Sequence, residues 1–393
     1  MSSAPFARSD DLRRLLNEGY DVELIDAHLL VKQVPYVDAE CRVKFGTLVS
    51  PVTFSGEQTA PNPNHQCWFI GDTPCDQHGK RLSAIIIDET DQQLAPEIRV
   101  NFGFSSKPHE GYADYYAKMV AYSRMLSGHA QALQPHADAR VFPTVAGPED
   151  SWPFVYRDSA SSRGGIAALM DVFRGQKIAI VGLGGTGSYI LDYVSKTPVD
   201  AIHLFDGDWM LNHNAFRAPG AASVEELNDR PLKVDYLAAR YSKMHRGIVP
   251  HGYHITAANV DELADMDFVF LTADQGMDKA PVVARLEELD RPFIEVGMGV
   301  ENVDGALTGL LRVTTSLPGR RSHVHENNRI PEAGDGRPDD YGSNIQIADL
   351  NSLNAILAVM RWKRHLGLYH DMKNECYTTF SFTTNRIVNA DTP

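Results

Sequence analysis

The residues best placed to do chemistry lie between Lys177 and Arg217. An apolar, β-branched run, Lys177-Ile178-Ala179-Ile180-Val181, ends in Gly182-Leu183-Gly184-Gly185-Thr186-Gly187, and a helix-forming stretch, Ser188 to Lys196, follows directly. Strand, glycine turn and helix in that order build a phosphate site. Gly182 makes the tight turn, Gly184 lets the backbone approach a phosphate, and Gly187 lets helix and strand pack closely. The first N–H groups of the helix, at the positive end of its dipole, face the same anion. A second apolar run, Ala201-Ile202-His203-Leu204-Phe205, ends at Asp206, where a carboxylate can accept hydrogen bonds from a ribose. A glycine turn alone is a weak sign, because many such turns hold no ligand. Strand, helix, second strand and terminal acid in register point to a nucleotide.

A dehydrogenase needs little after that acid, whereas this chain continues Asp206-Gly207-Asp208 and then Asn214-Ala215-Phe216-Arg217. The G-x-G-G-x-G turn, the D-x-D at the end of the second strand and the N-x-x-R that follows resemble the ThiF/MoeB/HesA adenylyltransferases, the superfamily that includes ubiquitin-activating enzymes. Lys233, in Arg230-Pro231-Leu232-Lys233-Val234, fits the family's lysine before a helix, somewhat further from the arginine than in shorter members. Asp274, after Phe268-Val269-Phe270-Leu271-Thr272-Ala273, fits its aspartate at the end of the fourth strand. The likeness covers roughly residues 163 to 384.

The resemblance implies ATP and Mg²⁺ as cofactors and a carboxylate as acceptor, most often the C-terminal glycine of a ubiquitin-like protein or peptide. The acceptor oxygen attacks the α-phosphorus and pyrophosphate leaves, so negative charge must be neutralised on both sides of the reacting atom. Gly182, Gly184, Gly185 and Gly187 would cradle the phosphates and Asp206 the ribose, with Asp208 beside it. Arg217 and Lys233 would supply fixed positive charge, Asn214 would position the triphosphate, and Asp274 would hold Mg²⁺ through a hard oxygen. No general base is needed, since a carboxylate is already ionised at neutral pH. In the family an arginine ahead of the first strand reaches the triphosphate, often across a homodimer; Arg157 and Arg163 both fit that place. The family's crossover segment, here about residues 314 to 343, contains no cysteine, which suggests either a stop at the acyl-adenylate or a thiol on another protein, such as a conjugating enzyme. An NAD-dependent oxidoreductase, a non-catalytic ATP-binding sensor or scaffold, and a small-molecule adenylase or dehydratase are the alternatives.

The elements that must position these residues alternate as in a doubly wound Rossmann-like α/β sheet with a C-terminal crossover extension, spanning residues 151 to 393. Strands are expected at 249–255, 268–272, 292–296, 307–313 and 377–384, and helices from Pro231 to Met244, 277–290 and 344–366. Ser223-Val224-Glu225-Glu226 reads as a capping box. Ahead of this, residues 1 to 150 read as a small α+β domain, with a helix capped by Ser9, strands at 22–25, 46–49, 67–70, 81–87 and 98–104, and an amphipathic helix from Gly111 to Leu133. It resembles the extra domain of some bacterial members, for which recruitment of a partner or target is the expected role.

Composition narrows the rest. A formal charge of −14 over 393 residues argues against nucleic acid as a partner, which would call for a basic face. No apolar run reaches membrane-spanning length and the N-terminus lacks a signal-like apolar core, so a cytoplasmic protein is expected. The four cysteines include no C-x-x-C pair. His65, Cys67, Cys75 and His78 could in principle surround zinc, but without such a knuckle they read as a core thiol and turn residues.

Overall fold

The computed structural model describes residues 9–56, 58–144, 153–273, 279–331 and 345–391. The chain divides into two compact units, Met1–Pro148 and Glu149–Pro393.

In the first unit, helix α1 (Asp10–Asn17) precedes strands β1 (Asp21–Ile25), β2 (His28–Val37) and β3 (Val43–Pro51). A two-stranded ribbon, β4 (Phe54–Ser55) and β5 (Gln58–Thr59), leads to β6 (Gln66–Ile70), β7 (Ile86–Ala95), β8 (Ile98–Ser105) and helix α2 (Tyr115–Leu133). The six longer strands form an antiparallel sheet in the order β1-β2-β3-β6-β8-β7. Tyr115, Met119, Tyr122 and Leu126 of α2 lie in one core with Phe69 and Phe104, the face that their helical spacing predicts. The structure departs from the expected elements, starting α2 at Tyr115 rather than Gly111 and adding the β4–β5 ribbon. The strand expected at 81–87 begins only at Ile86, because Leu82 to Ile85 close a turn on the Leu82 carbonyl. β2 carries no period-2 pattern, since it is buried through most of its length and bulged between Val31 and Val34. Ser9 precedes α1 but does not cap it; its hydroxyl accepts from the Thr59 N–H at 3.0 Å.

The second unit opens with α3 (Ser159–Arg163) and a 3₁₀ turn at Leu169–Phe173, then β9 (Lys177–Val181), α4 (Gly185–Val194) and β10 (Ala201–Phe205). Three helices follow, α5 (Asn212–Ala215), α6 (Val224–Asn228) and α7 (Lys233–Tyr241), before β11 (Ile248–His251), β12 (Phe268–Leu271) and α8 (Lys279–Glu288). Strands β13 (Phe293–Val303) and β14 (Ala306–Ser316), helices α9 (Ser322–Glu326) and α10 (Ala348–His365), and strands β15 (Tyr377–Ser381) and β16 (Arg386–Ala390) complete it. The eight-stranded sheet runs β11-β10-β9-β12-β13-β14-β15-β16, parallel from β11 to β13 and antiparallel beyond. Counting from β9, its parallel part has the order 3-2-1-4-5, so the topology switches direction beside β9. This is the α/β architecture expected, with an antiparallel extension longer than the sequence suggested. β13 and β14 each run eleven residues and join through Asp304-Gly305, both at positive φ (54° and 83°), the backbone of a tight hairpin. β16, short and exposed at the sheet edge, gave no periodic signal.

The anticipated capping box is present: Ser223 Oγ accepts from the Glu226 N–H at 3.2 Å while Glu226 Oε2 accepts from the Ser223 N–H at 2.7 Å. Residues 332–344, most of the second half of the expected crossover, lie outside the described residues. Among the described residues no helix is long and apolar enough to cross a membrane.

Candidate functional site

The glycine turn is pinned on both sides. The Gly182 N–H donates to the Phe205 carbonyl at the end of β10, and Thr272, just past β12, donates its N–H to Val181 and its hydroxyl to Gly182. Three of the four glycines are required by the protein itself. Gly182 has φ +92°, and a Cβ there would meet the Ala273 backbone; at Gly187 it would strike the Gly182 carbonyl, and at Gly185 the Asn351 carboxamide. Gly184 is different: its φ is −69°, and a Cβ would meet no protein atom within 4 Å. Its lack of a side chain keeps open the space in front of the α4 N-terminus.

Asp206 follows β10 and is 4% exposed. Its Oδ2 accepts from the Leu183 N–H of the turn at 2.7 Å and its Oδ1 from the Asp208 N–H at 2.8 Å. The same carboxylate thus shapes the turn and the following loop. That loop is bridged to the residues before α7: Trp209 pairs with Leu232, and the Lys233 N–H donates to the Asp208 carbonyl. The bridge delivers the Lys233 ammonium 2.7 Å from Asp208 Oδ2 and 3.5 Å from Asp206 Oδ2, with the lysine itself buried. Burial pushes the Asp208 carboxyl up, but its hydrogen bond to Lys233, with the charges of Lys233, His254 and Arg217 behind it, holds it below the usual carboxylate range.

Asn214 is buried, and its Oδ1 accepts from the Leu211 N–H at 2.9 Å, closing the start of α5. One turn on, the Arg217 Nε is buried and without a hydrogen-bond partner. A guanidinium N–H out of water is costly unless it meets an acceptor, so this group is set for an anion. Arg157 is half-buried and Arg163, at the end of α3, is exposed; both engage neighbours within the chain. Asp274 lies outside the described residues.

The structure adds groups that sequence reading missed. Asn351 of α10 accepts at Oδ1 from Thr186 Oγ1 at 2.9 Å, tying the far helix to the glycine turn. One turn later the Asn354 Nδ2 donates to the Gly297 carbonyl. Both asparagines are 1% exposed, and two amides at i, i+3 on an otherwise apolar helix face were the available sequence signal. Nearby, fully buried Glu295 takes Lys279 at 2.9 Å and Arg312 at 3.0 Å, a triad assembled from α8, β13 and β14.

The turn fits a nucleoside triphosphate: an open Gly184 fronts the α4 N-terminus, and Arg217, whose charge reaches Asp208, holds a buried guanidinium N–H without an acceptor. A divalent cation fits less well on what is described. Asp206, Asp208 and His254 are the only group of three potential metal ligands among the described residues, with donor atoms within 4.8 Å of one another. Lys233 already supplies their cation, and an imidazole is a poor ligand for Mg²⁺. Cys67 is a core thiol 3.2 Å from the Val49 carbonyl, Cys75 is buried against Thr73, and His78 sits in the Asp76–Gly79 turn.

Residues 10–159 match a domain of unknown function, DUF6791, and residues 161–331 match the ThiF family. No curated protein matches the chain. Among solved structures, E. coli MccB with ATP is 16% identical over 57% of this chain and 66% of its own, with a TM-score of 0.46. The microcin C7 biosynthetic enzyme MccB in complex with N-formylated MccA is 16% identical over 60% of this chain and 70% of its own, TM-score 0.46. PaaA is 15% identical over 57% of this chain and 75% of its own, TM-score 0.42. The chain spans about two thirds of the length of the MccB chains. It carries a ThiF family domain at residues 161–331, behind the DUF6791 domain.

Proposed function

We propose that this chain, through its ThiF family domain, activates the C-terminal carboxylate of a ubiquitin-like protein or peptide by ATP- and Mg²⁺-dependent adenylation, releasing pyrophosphate. The observation that carries this reading is the pairing of an open Gly184 at a helix N-terminus with the unpartnered Arg217 Nε. Triphosphate oxygens would accept from the α4 N–H groups and from Arg217, while Asp206 would hold the ribose. Lys233 would lend its charge to the phosphates by exchanging Asp208, whose side chain is 58% exposed, and keeping buried Asp206. When bound, magnesium would neutralise phosphate oxygens; we assign its ligand to Asp274. The acceptor carboxylate attacks the α-phosphorus, the bond to the bridging oxygen breaks, and no proton has to move.

Arg157 or Arg163 would complete the site across a homodimer. Cys75 and Cys376 do not suit a thioester step: each is 2% exposed, and burial pushes both thiols up. Any onward transfer is assigned to a separate conjugating enzyme. The DUF6791 domain would recruit the partner or target.

The test is pyrophosphate release from ATP and Mg²⁺ with candidate acceptors, alongside intact mass spectrometry of each acceptor. Acceptor-dependent release with an AMP adduct supports the reading. ATP binding without release across ubiquitin-like and peptide acceptors would favour a sensor, and saturable NAD binding with hydride transfer would overturn it. Asp274→Ala should abolish release without changing the melting temperature; full Mg²⁺-dependent activity in that variant removes the metal assignment.

A further inference from the structure

A polar cavity lies at the other end of the sheet from the glycine turn. Thr315 is on β14, and its strand neighbour Ile294 stands at the start of β13, so this is the end of the sheet opposite the carboxyl ends of the parallel strands. The cavity has a volume of about 90 Å³ and is walled by β14, the C-terminal turn of α10 and the loop before β15. That is room for several waters or one small ion.

Its lining is cationic. Arg361 is spoken for: it donates to the Glu375 carbonyl and to Thr378 Oγ1, and the carboxylates of Glu375 and Asp371 lie 3.8 and 4.0 Å from its Nη1. Arg320 donates to the Asn374 carbonyl and, at 3.0 Å, to the Cys376 thiol. Among the described residues no carboxylate pairs with Arg320 or with half-buried Arg364. Three guanidiniums face two carboxylates, so the wall carries one net positive charge, and both carboxylates sit by Arg361 rather than by Arg320 or Arg364. Desolvation by the packed ring neighbours, then the charge of Arg320, holds the imidazole of His365 below its ordinary range, although the residue as a whole is exposed.

One further group looks for a partner. Thr315 is 2% exposed, lines the cavity and has a buried Oγ1 with no hydrogen bond. Val313 and Leu317, two residues to either side, pack in the core that includes Trp362 of α10, so the Thr315 side chain faces that helix and the cavity beneath it. A buried hydroxyl without a partner is costly, and a ligand accepting its proton relieves that cost. A ligand that accepts from a hydroxyl and from guanidinium N–H groups, carries negative charge and fits this volume is a small oxyanion.

We propose that this cavity binds a free tetrahedral oxyanion of the size of inorganic phosphate, held by the Thr315 hydroxyl and the Arg364 and Arg320 guanidiniums. The site is independent of the adenylation reading, since it shares no residue with the glycine turn.

The test is equilibrium dialysis of radiolabelled inorganic phosphate against the full chain, with thermal melts in parallel. Two variants address the cavity. Arg364→Gln removes a half-buried charge without a hydrogen bond, and Thr315→Val removes the hydroxyl at nearly constant shape. Each should weaken one equivalent of phosphate at least tenfold, and Arg217→Gln should leave that equivalent intact. Without phosphate, Thr315→Val should melt at or above the wild-type temperature, and it should lose the phosphate-dependent rise seen in wild type. Absence of saturable binding up to millimolar phosphate overturns the proposal. So does binding that persists in both cavity variants, or binding lost only in Arg217→Gln, which would put the ion at the glycine turn. Free phosphoserine competing as well as phosphate would overturn the free-ion assignment.

Discussion

Substituting alanine separately at Gly184 and Gly187 separates a glycine kept for a ligand from one kept for the fold. At Gly187 the new Cβ would strike the Gly182 carbonyl and lie 2.6 Å from Thr272 Oγ1, both held in the hydrogen bonds that fix the turn. Neither can yield without moving β9 or β12, so overpacking should cost about 1–3 kcal/mol. For a domain of this size 1 kcal/mol moves the melting temperature by roughly 2–4 °C, so a fall of roughly 2–12 °C is expected. At Gly184 the backbone is already at φ −69°, and the Cβ points into open space. Reduced freedom of the unfolded chain favours alanine by about 0.4–1 kcal/mol, and its poorer fit at an N-cap opposes this by about the same amount. The melting temperature should therefore stay within about 4 °C of wild type. ATP affinity should respond the other way, falling at least tenfold in Gly184→Ala because a methyl group stands where phosphate oxygens approach the α4 N-terminus. Calorimetric melts and ATP titration of both variants decide it. If Gly184→Ala binds ATP like wild type, or melts as early as Gly187→Ala, the assignment of Gly184 to a phosphate is wrong.

Three other changes test the electrostatics. Arg217→Gln should leave the melting temperature unchanged or slightly raised, since its Nε has no partner to lose, while pyrophosphate release falls by about 10²-fold or more, read by a coupled phosphate assay. Lys233→Met leaves Asp206 and Asp208 without their cation and should cost about 1–3 kcal/mol in urea titrations at pH 7. The Asp208 carboxyl is held below its unfolded value, so its stabilisation is full above that value and is lost as pH falls through the lowered one; in Lys233→Met the loss should begin at higher pH. Lys118 is fully buried, bonded through Nζ to Ser50 Oγ at 2.8 Å, and burial holds its ammonium below the ordinary lysine range. The unfolded chain therefore binds a proton that the folded one gives up, and stability should rise with pH between the two values. Lys118→Met should raise the melting temperature of the full chain's first transition at pH 7 and flatten that rise; an unchanged pH slope would refute it.

The order strand, glycine turn, helix, strand, acid was legible because each step is local. The continuous apolar, β-branched run from Ile178 to Val181, buried on both faces, a backbone that only glycine tolerates at Gly182, and an acid at a strand end all act within a few residues. The Ser223–Glu226 box and the apolar face of Tyr115 to Leu133 were legible for the same reason. Tertiary structure alone decided which glycines the protein needs for itself, because only the approach of Ala273, Thr272 and Asn351 separates Gly182, Gly187 and Gly185 from Gly184. It also decided that Lys233 rests against Asp208, through a bridge between Trp209 and Leu232 that no spacing announces. The Glu295 triad and the Thr315 cavity join side chains from separate elements of the chain. Charges meet there because strands and helices pack, and packing over long sequence separations leaves no periodic mark on the sequence.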